Sequence, residues 1–468
     1  SYNVALGFGA LEANTTANLN VAVGYNALEA NTSGAGNTAV GKDALATNAT
    51  GGNNVAVGKS ALLVNTVNDN TAVGWESMKA NTSGRINTAV GKSAMAANTS
   101  GTDNTAVGGL SLDANTTGSS NTALGYATLS ENTTASNNTA VGSLALLNNT
   151  TGDSNVAVGT SALDANTTGS RNVAVGYNSL GVNTTANNNT AVGNASLDAN
   201  TTGASNVAVG RNALGANTTA SNNTAVGMNA LLTNTTGASN IAVGRGALQL
   251  CTTGLNNVAM GDTAAQGLTT GASNTLIGHL NCNYGTALTT GTNNTIIGAY
   301  SRVGAVDGSN AQGLGFDLNC VAGYTTVGSG ASDIRAANGT ATWSTVSDER
   351  VKKDIEDSTV GLNFINDLRP VTFNYKNKGD LPTEFRGYEE GSTEVYKSEK
   401  SQHGFIAQEV KAAIDKHSDI KNGFSLWDAD DETGQQRVGE TALIPMLTKA
   451  VQELSTKVEE LESKLNGE

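Results

Sequence analysis

Apolar and polar positions follow one short sentence that repeats along most of this chain. Residues 20–36 read "NVAVGYNALEANTSGAG", and the next seventeen read "NTAVGKDALATNATGGN". The Gly that closes the "AVG" core recurs eighteen times, from Gly7 to Gly298. The spacing is seventeen, except for one step of sixteen (Gly58 to Gly74) and a last step of twenty (Gly278 to Gly298). An Asn stands four residues before each of these glycines, from Asn3 to Asn294. Seventeen residues are too few for a helical hairpin repeat, and this unit is too rich in Gly and Asn for a helix. They suit one coil of a β-solenoid with two short strands and two turns. Within "NVAV", Val21 and Val23 share one face and Ala22 takes the other. Leu follows four residues after most of the glycines (Leu28, Leu45, Leu62), with Met78 and Met95 as substitutes. Stacked coils would superpose Val, Leu and Asn into columns. The Val and Leu columns are expected to form a thin core, and the Ala face to meet neighbouring chains. The Asn column can bond amide to amide up the stack.

After Gly298 the repeat gives way to Gly-rich alternating pieces such as "TATWSTV", which read as an irregular β neck over residues 299–346. At Ser347 the character changes again. More than half of the Lys and Arg lie beyond it, and helical patterns appear. Near the end Leu447, Val451, Leu454, Val458, Leu461 and Leu465 are spaced 4, 3, 4, 3, 4, a heptad seam. It reads either as a coiled coil or as one helix of a local bundle. The domains expected are thus a repeat shaft (1–298), the neck (299–346) and a small α+β domain (347–468) ending in a helix.

Composition narrows the function. The net charge of −14 argues against a nucleic-acid surface. Cys251, Cys282 and Cys320 are odd in number and far apart, which suggests neither a disulfide framework nor a zinc site. No apolar run has membrane-spanning length. Neither a cofactor nor a metal is expected. The chain opens in mid-pattern at Ser1, so a fragment or processed product that lacks an N-terminal anchor is expected. The many "NTT" and "NTS" triplets read as turn chemistry rather than glycosylation. The acidic column of Glu12, Glu29, Asp113, Asp164 and Asp198 reads as a solvated ridge, because glycosidase carboxylates must oppose each other across a bond.

Two resemblances add to this. "NVAVGYNAL" resembles the head repeats of YadA-like trimeric adhesins, although the period here is longer. That likeness implies a trimeric left-handed β-roll. In the last segment "SDERVKKDI", "LRPVTFNYK", "HGFIAQEV" and the closing "TALIPMLTKAVQELSTKVEELESKL" occur in the order found in the intramolecular chaperones of phage endosialidases and tail fibres. These are self-cleaving Ser/Lys peptidases. The resemblance implies a dyad of Ser347 and Lys352 and cleavage of the Val346–Ser347 bond within a trimer. Such a Lys must lose its charge near neutral pH, which requires burial or a cationic neighbour, with Arg350 and Lys353 as candidates. Spacing alone would make Ser347 or Asp348 a helix N-cap and leave the lysines solvated. His403 and Glu409 read as core or surface residues rather than triad members.

The expectation is a virion tail fibre, assembled in the host cytoplasm. It would be a homotrimer without membrane insertion that joins other tail proteins on its N-terminal side and meets a host-surface glycan or protein. The alternatives are a bacterial trimeric adhesin, which would need a C-terminal membrane anchor of amphipathic strands where this sequence has a charged helix, and a fragment of a polysaccharide-degrading tailspike.

Overall fold

The computed structural model describes residues 2–285, 287–330, 332–340, 344–345, 349, 352–385, 387–420, 426–429 and 435–467. The chain divides into two compact units, residues 1–346 and 347–468. The first unit is a β-solenoid. Each repeat contributes one three-residue strand, from β1 (Val4–Leu6) and β2 (Val21–Val23) through to β17 (Thr275–Ile277) and β18 (Thr295–Ile297). Successive strands pair in parallel and in exact repeat register, as in Val156↔Val173 and Ala157↔Ala174. The shortened and lengthened repeats keep that register: Val55 faces Thr71, and Thr275 faces Thr295.

Two strands per coil were expected, and one is found. The edge that carries Leu is built from turns. Residues two and four after the Gly adopt left-handed backbone, as Asn26 (φ 55) and Leu28 (φ 52) do. Their amides still reach the neighbouring coils, Leu28 N–H donating to Ala44 O at 3.0 Å and Asn26 N–H to Phe8 O at 2.9 Å. Left-handed backbone costs a non-glycine residue about 1–2 kcal/mol. Complete burial of each Leu contributes about 1.5–3 kcal/mol and offsets it. Gly holds the sharper corner. Gly125 sits at φ +143, and a Cβ there would stand 2.6 Å from Gly142 O.

The facing of the strand is the reverse of that expected. Ala22 is wholly buried, while Val21 and Val23 lie on the outside, half-buried. The same pattern holds along the stack. The reason is space. The interior of the coil is already filled by Ala27, Leu28 and the side chains of Asn20 and Asn31, all with no exposed surface. A methyl group fits in what remains, and the larger inward residues Leu276 and Ile296 occur where the Leu four places after the Gly is replaced, by Cys282 and Arg302. The core is therefore Ala, Leu and Asn, and the Val and Thr positions form the outer face of the sheet.

Two asparagine ladders run through this core. In the first, which includes Asn121, Asn138 and Asn155, each side-chain oxygen accepts the backbone N–H of the next ladder Asn. Asn155 N–H thus donates to Asn138 Oδ1 at 2.9 Å. The Nδ2 of Asn138 donates to Gly152 O at 2.9 Å. The second ladder bonds amide to amide. Asn98, Asn115 and Asn132 each donate Nδ2 to the Oδ1 of the preceding member at 2.8 Å. The amide-to-amide bonds expected of the first column occur at some of its rungs, as from Asn121 Nδ2 to Asn104 Oδ1 at 3.1 Å, but its backbone N–H bonds were not anticipated.

The stack also continues beyond Gly298, where the repeat had seemed to end. The next strands are β19 (Arg302–Val303), β20 (Gln312–Phe316), β21 (Asn319–Cys320), β22 (Tyr324–Ser329), β23 (Ser332–Ala337) and β24 (Ser344–Thr345). β20 pairs in parallel with β18, and β22 with β20. Gly315 stands at φ +149, like the repeat glycines before it. The direction changes only at β23, which runs antiparallel to β22 and to β24.

Two outcomes test this packing. Asn138→Ala leaves the Asn155 amide unpaired, at about 1–3 kcal/mol, while the Gly152 carbonyl keeps the Nδ2 of Asn149 at 3.0 Å. Hydrogen exchange should show faster exchange confined to the coils around residue 138, because repeat arrays fray locally; unchanged protection of the Asn155 amide would contradict the ladder. The three thiols report on the other end of the stack. All are buried. Burial pushes the Cys251 and Cys320 thiols up to about 11 and Cys282 higher still. At pH 8 a thiol reagent should label none of them in the folded protein and all three after denaturation.

Candidate functional site

The second unit is assembled from short elements that match the motifs of its sequence. A small core of Val360, Phe364, Val410, Ala413, Ile414, Leu426 and Leu443 holds it together. Helix α1 (Leu362–Asp367) places Phe364 in that core with no exposed surface. Pro370 cannot continue a helix, and the chain turns into β25 (Val371–Phe373). β25 pairs antiparallel with β26 (Gln402–Gly404), Thr372 facing His403. Helix α2 (Ala407–Lys416) follows and turns Val410, Ala413 and Ile414 inward. A second hairpin, β27 (Trp427–Ala429) with β28 (Gln436–Val438), leads to the long helix α3 (Ile444–Asn466).

Of the residues expected to carry chemistry, Val346 and Ser347 lie outside the described residues. Lys352 is described. Its backbone N–H donates to Glu349 O at 3.0 Å, and the residue is exposed in the single chain. The other neighbour proposed for it, Lys353, is exposed as well. The single chain therefore does not supply the burial that a Lys base requires.

His403 and Glu409 occupy separate surface positions. The Nδ1 of His403 is 3.1 Å from Thr372 Oγ1. Glu409 accepts from Arg369, whose Nε lies 3.0 Å away, and this hydrogen bond holds the carboxyl below its usual range. A third imidazole, His417, stands with its Nε2 3.0 Å from Asp367 Oδ2 and its ring edge-on to Phe364 at 5.3 Å. The bond from His417, with the nearby Lys416 charge, lowers the Asp367 pKa. Asp419 beside it accepts from Thr359 and is lowered for the same kind of reason. His417 and Asp419 line a shallow polar depression of about 190 Å³ between Thr359–Phe364 and Lys416–Asp419. Asp419 and the neighbouring Asp367 already have hydrogen-bonded partners, and the bond from His417 to Asp367 ties the end of α1 to the end of α2.

Helix α3 has two faces. One packs on the unit's own core, with Ala450 buried and Leu443, just before the helix, buried as well. From this helix Glu453 reaches back to α1, its Oε2 accepting the Leu362 N–H at 2.8 Å. The carboxylate thereby satisfies one of the open amides at the start of α1, where Gly361 offers no side chain. Nothing in the sequence pointed to Glu453, because the contact spans ninety-one residues. The other face is the heptad seam. Leu447 and Leu454 are each 46% exposed, Val451 64%, Val458 51%, Leu461 65% and Leu465 86%. The seam is not absorbed by a local bundle, and six large apolar side chains face outward in one stripe.

Comparison with known proteins agrees with this arrangement. Residues 347–419 match the family model described as chaperone of endosialidase. The match ends at Asp419, so the second hairpin and α3 lie beyond it. No curated protein and no solved structure matches the chain. The match opens on Ser347, the residue at which the second compact unit also begins. The C-terminal part of this chain thus carries a domain of the endosialidase-chaperone family, placed behind a β-solenoid of seventeen-residue coils.

Proposed function

We propose that this chain is a phage tail-fibre subunit whose last unit brings three copies into register and is then released by cleavage at Val346–Ser347. The observation that carries the reading is the coincidence at Ser347, where a chaperone-family match and a separately packed unit both begin. The repeats make the shaft, which contributes to host attachment.

The fold supplies the reason for a chaperone. Every coil offers nearly the same strand to a neighbour. The two outward positions of all eighteen strands carry Val, Thr, Ile, Leu or Met, and never a charge. Such a strip, left open on a single chain, marks an association surface. It replaces the Ala face that the sequence suggested for contact between chains. Because the strip repeats every coil, copies displaced by a whole coil would pack almost as well as aligned ones. A clamp at one end removes that ambiguity. The open seam of α3 fits the role, joining the copies as a short coiled coil.

Assembly also bears on the chemistry. Lys352 is exposed in one chain, so burial against its partners would lower its pKa and let it take the proton of Ser347. The Ser347 oxygen then attacks the Val346 carbonyl and the peptide bond breaks. The proton passes to the leaving amine, and water completes hydrolysis of the ester.

Intact mass after expression tests the cut. The unmutated protein should give a fragment ending at Val346 and one starting at Ser347. Ser347→Ala and Lys352→Ala should each leave one uncut chain, and Lys353→Ala should be cut. Cleavage that persists in Ser347→Ala would remove the dyad. The seam is tested separately. Leu454→Asp with Val458→Asp alters two exposed positions and should leave the single-chain fold intact by circular dichroism. It should nonetheless yield uncut chains that do not form trimers by light scattering. Normal trimer from that variant would contradict the role of α3.

A further inference from the structure

One coil of the solenoid is a residue shorter than the regular ones, and fewer bonds join it to its neighbours. The missing residue lies in a single turn. Asn65 and Asn70 stand five apart, where Asn48 and Asn54, or Asn81 and Asn87, stand six apart. The strand and the first Asn ladder pass through undisturbed. Val55 still faces Thr71, and Asn70 N–H donates to Asn54 Oδ1 at 3.0 Å.

The opposite edge of the coil does not. Asn65 Nδ2 keeps the bond within its own turn, to Val67 O at 2.7 Å, and makes none to Asn48. Asn48 Oδ1 is left buried without a hydrogen-bond partner, so the second ladder loses a rung. The backbone parts at the same level. One residue after each position of the second ladder, from Thr15 to Thr289, an N–H donates to the next coil. Thr32 N–H thus bonds to Ala49 O at 2.9 Å, and Thr82 N–H to Thr99 O at 3.0 Å. Among the described residues at this place in the coil, Ala49 and Thr66 alone lack that bond. Val64 N–H also fails to reach the next coil, as Thr47 N–H does to Leu63 O at 3.2 Å. Unequal length by itself is not the cause. The lengthened repeat keeps the bond, Thr269 N–H donating to Thr289 O at 2.8 Å. Side chains at the surface span the gap instead. Asp69 accepts from Asn53 Nδ2 at 3.3 Å on one side and from Arg85 Nη2 at 3.0 Å on the other, and Thr66 Oγ1 donates to Thr82 O at 2.9 Å. Exposed pairs of this kind hold weakly and are screened by salt.

We propose that residues 64–68 form a built-in joint of the shaft, an interior level at which the stack opens first and about which its two parts flex. A uniform stack would fray from its ends, because every interior coil has two neighbours that hold it alike. A coil that has lost a ladder rung and its cross-coil backbone bonds opens at lower cost, although it lies inside the array. The turn edge swings out, carrying Leu62 with it, while the strand and the first ladder keep the coil attached. The shaft thereby gains flexibility at one level without giving up the pairing that runs its length. The joint is a property of the single chain and stands apart from the chaperone reading.

Hydrogen exchange of the full chain, resolved residue by residue by fragmentation mass spectrometry, tests this on matched amides. Leu62 N–H donates to Ser77 O at 3.0 Å and Leu163 N–H to Ser179 O at 2.9 Å, so the two are bonded alike. They also lie in nearly the same local sequence, "NVAVGKSAL" and "NVAVGTSAL". Corrected for intrinsic rates, Leu62 should exchange about tenfold or more faster than Leu163. Equal exchange would overturn the proposal. A repaired chain, Val67→Gly with one Thr inserted after Thr66, regains the turn length of residues 149–155 and should slow Leu62 to the rate of Leu163. Unchanged fast exchange at Leu62 in a repaired chain of native circular dichroism would overturn the proposal too. Should the repaired chain not fold, the comparison within the unmodified protein decides alone.

Discussion

The narrowness of the coil is the constraint from which the rest of the first unit follows. An interior filled by Leu and Asn leaves room for little more than Ala in most coils, and its buried amides need a partner on every side. The Asn138 side chain accepts from one coil and donates to the carbonyl of the same neighbour. A coil without neighbours would leave those groups open, at a cost that burying one Leu cannot offset. Stability is therefore a property of the stack. The same narrowness leaves Val and Thr to the outward strand positions in most coils and so creates the uncharged strip on the sheet.

That strip links fold to function. A surface identical from coil to coil associates readily and specifies position poorly. The C-terminal unit is built differently. Its core is small, its elements are short and non-repeating, and its long helix leaves Leu454 and Val458 open to partners. A non-repeating unit lacks the coil-by-coil ambiguity of the strip, which suits the register-setting role proposed for it.

Much of this was legible in the sequence. The period, the buried Asn column, the glycine corners and the open heptad each come from repetition, which acts as many readings of one position. The facing of Val21 and Ala22 was not legible. Alternation places them on opposite faces but does not say which face is inside, and the answer depended on the volume taken by Leu28 and two Asn side chains. The turn-built Leu edge was hidden as well, since left-handed backbone at Leu carries no compositional sign. The continuation through Gly315 was missed because the Asn before it is replaced by Ala311, whose amide still donates to Asn294 Oδ1 at 2.9 Å. In the C-terminal unit the motifs located the elements. The contact of Glu453 with α1 is long-range and left no local trace.

The central claim is that the last unit fixes the register of a shaft that cannot fix its own. Spin labels at Thr160→Cys, an exposed position on one coil, test it directly, because the three native cysteines are buried and stay unlabelled. Distances between labels in the assembled fibre should form one narrow population after removal of residues 347–468. Chains expressed without those residues should give populations separated in steps set by the rise of about 4.8 Å per coil, or no assembly at all. The same single narrow population from chains made without the C-terminal unit would contradict the account.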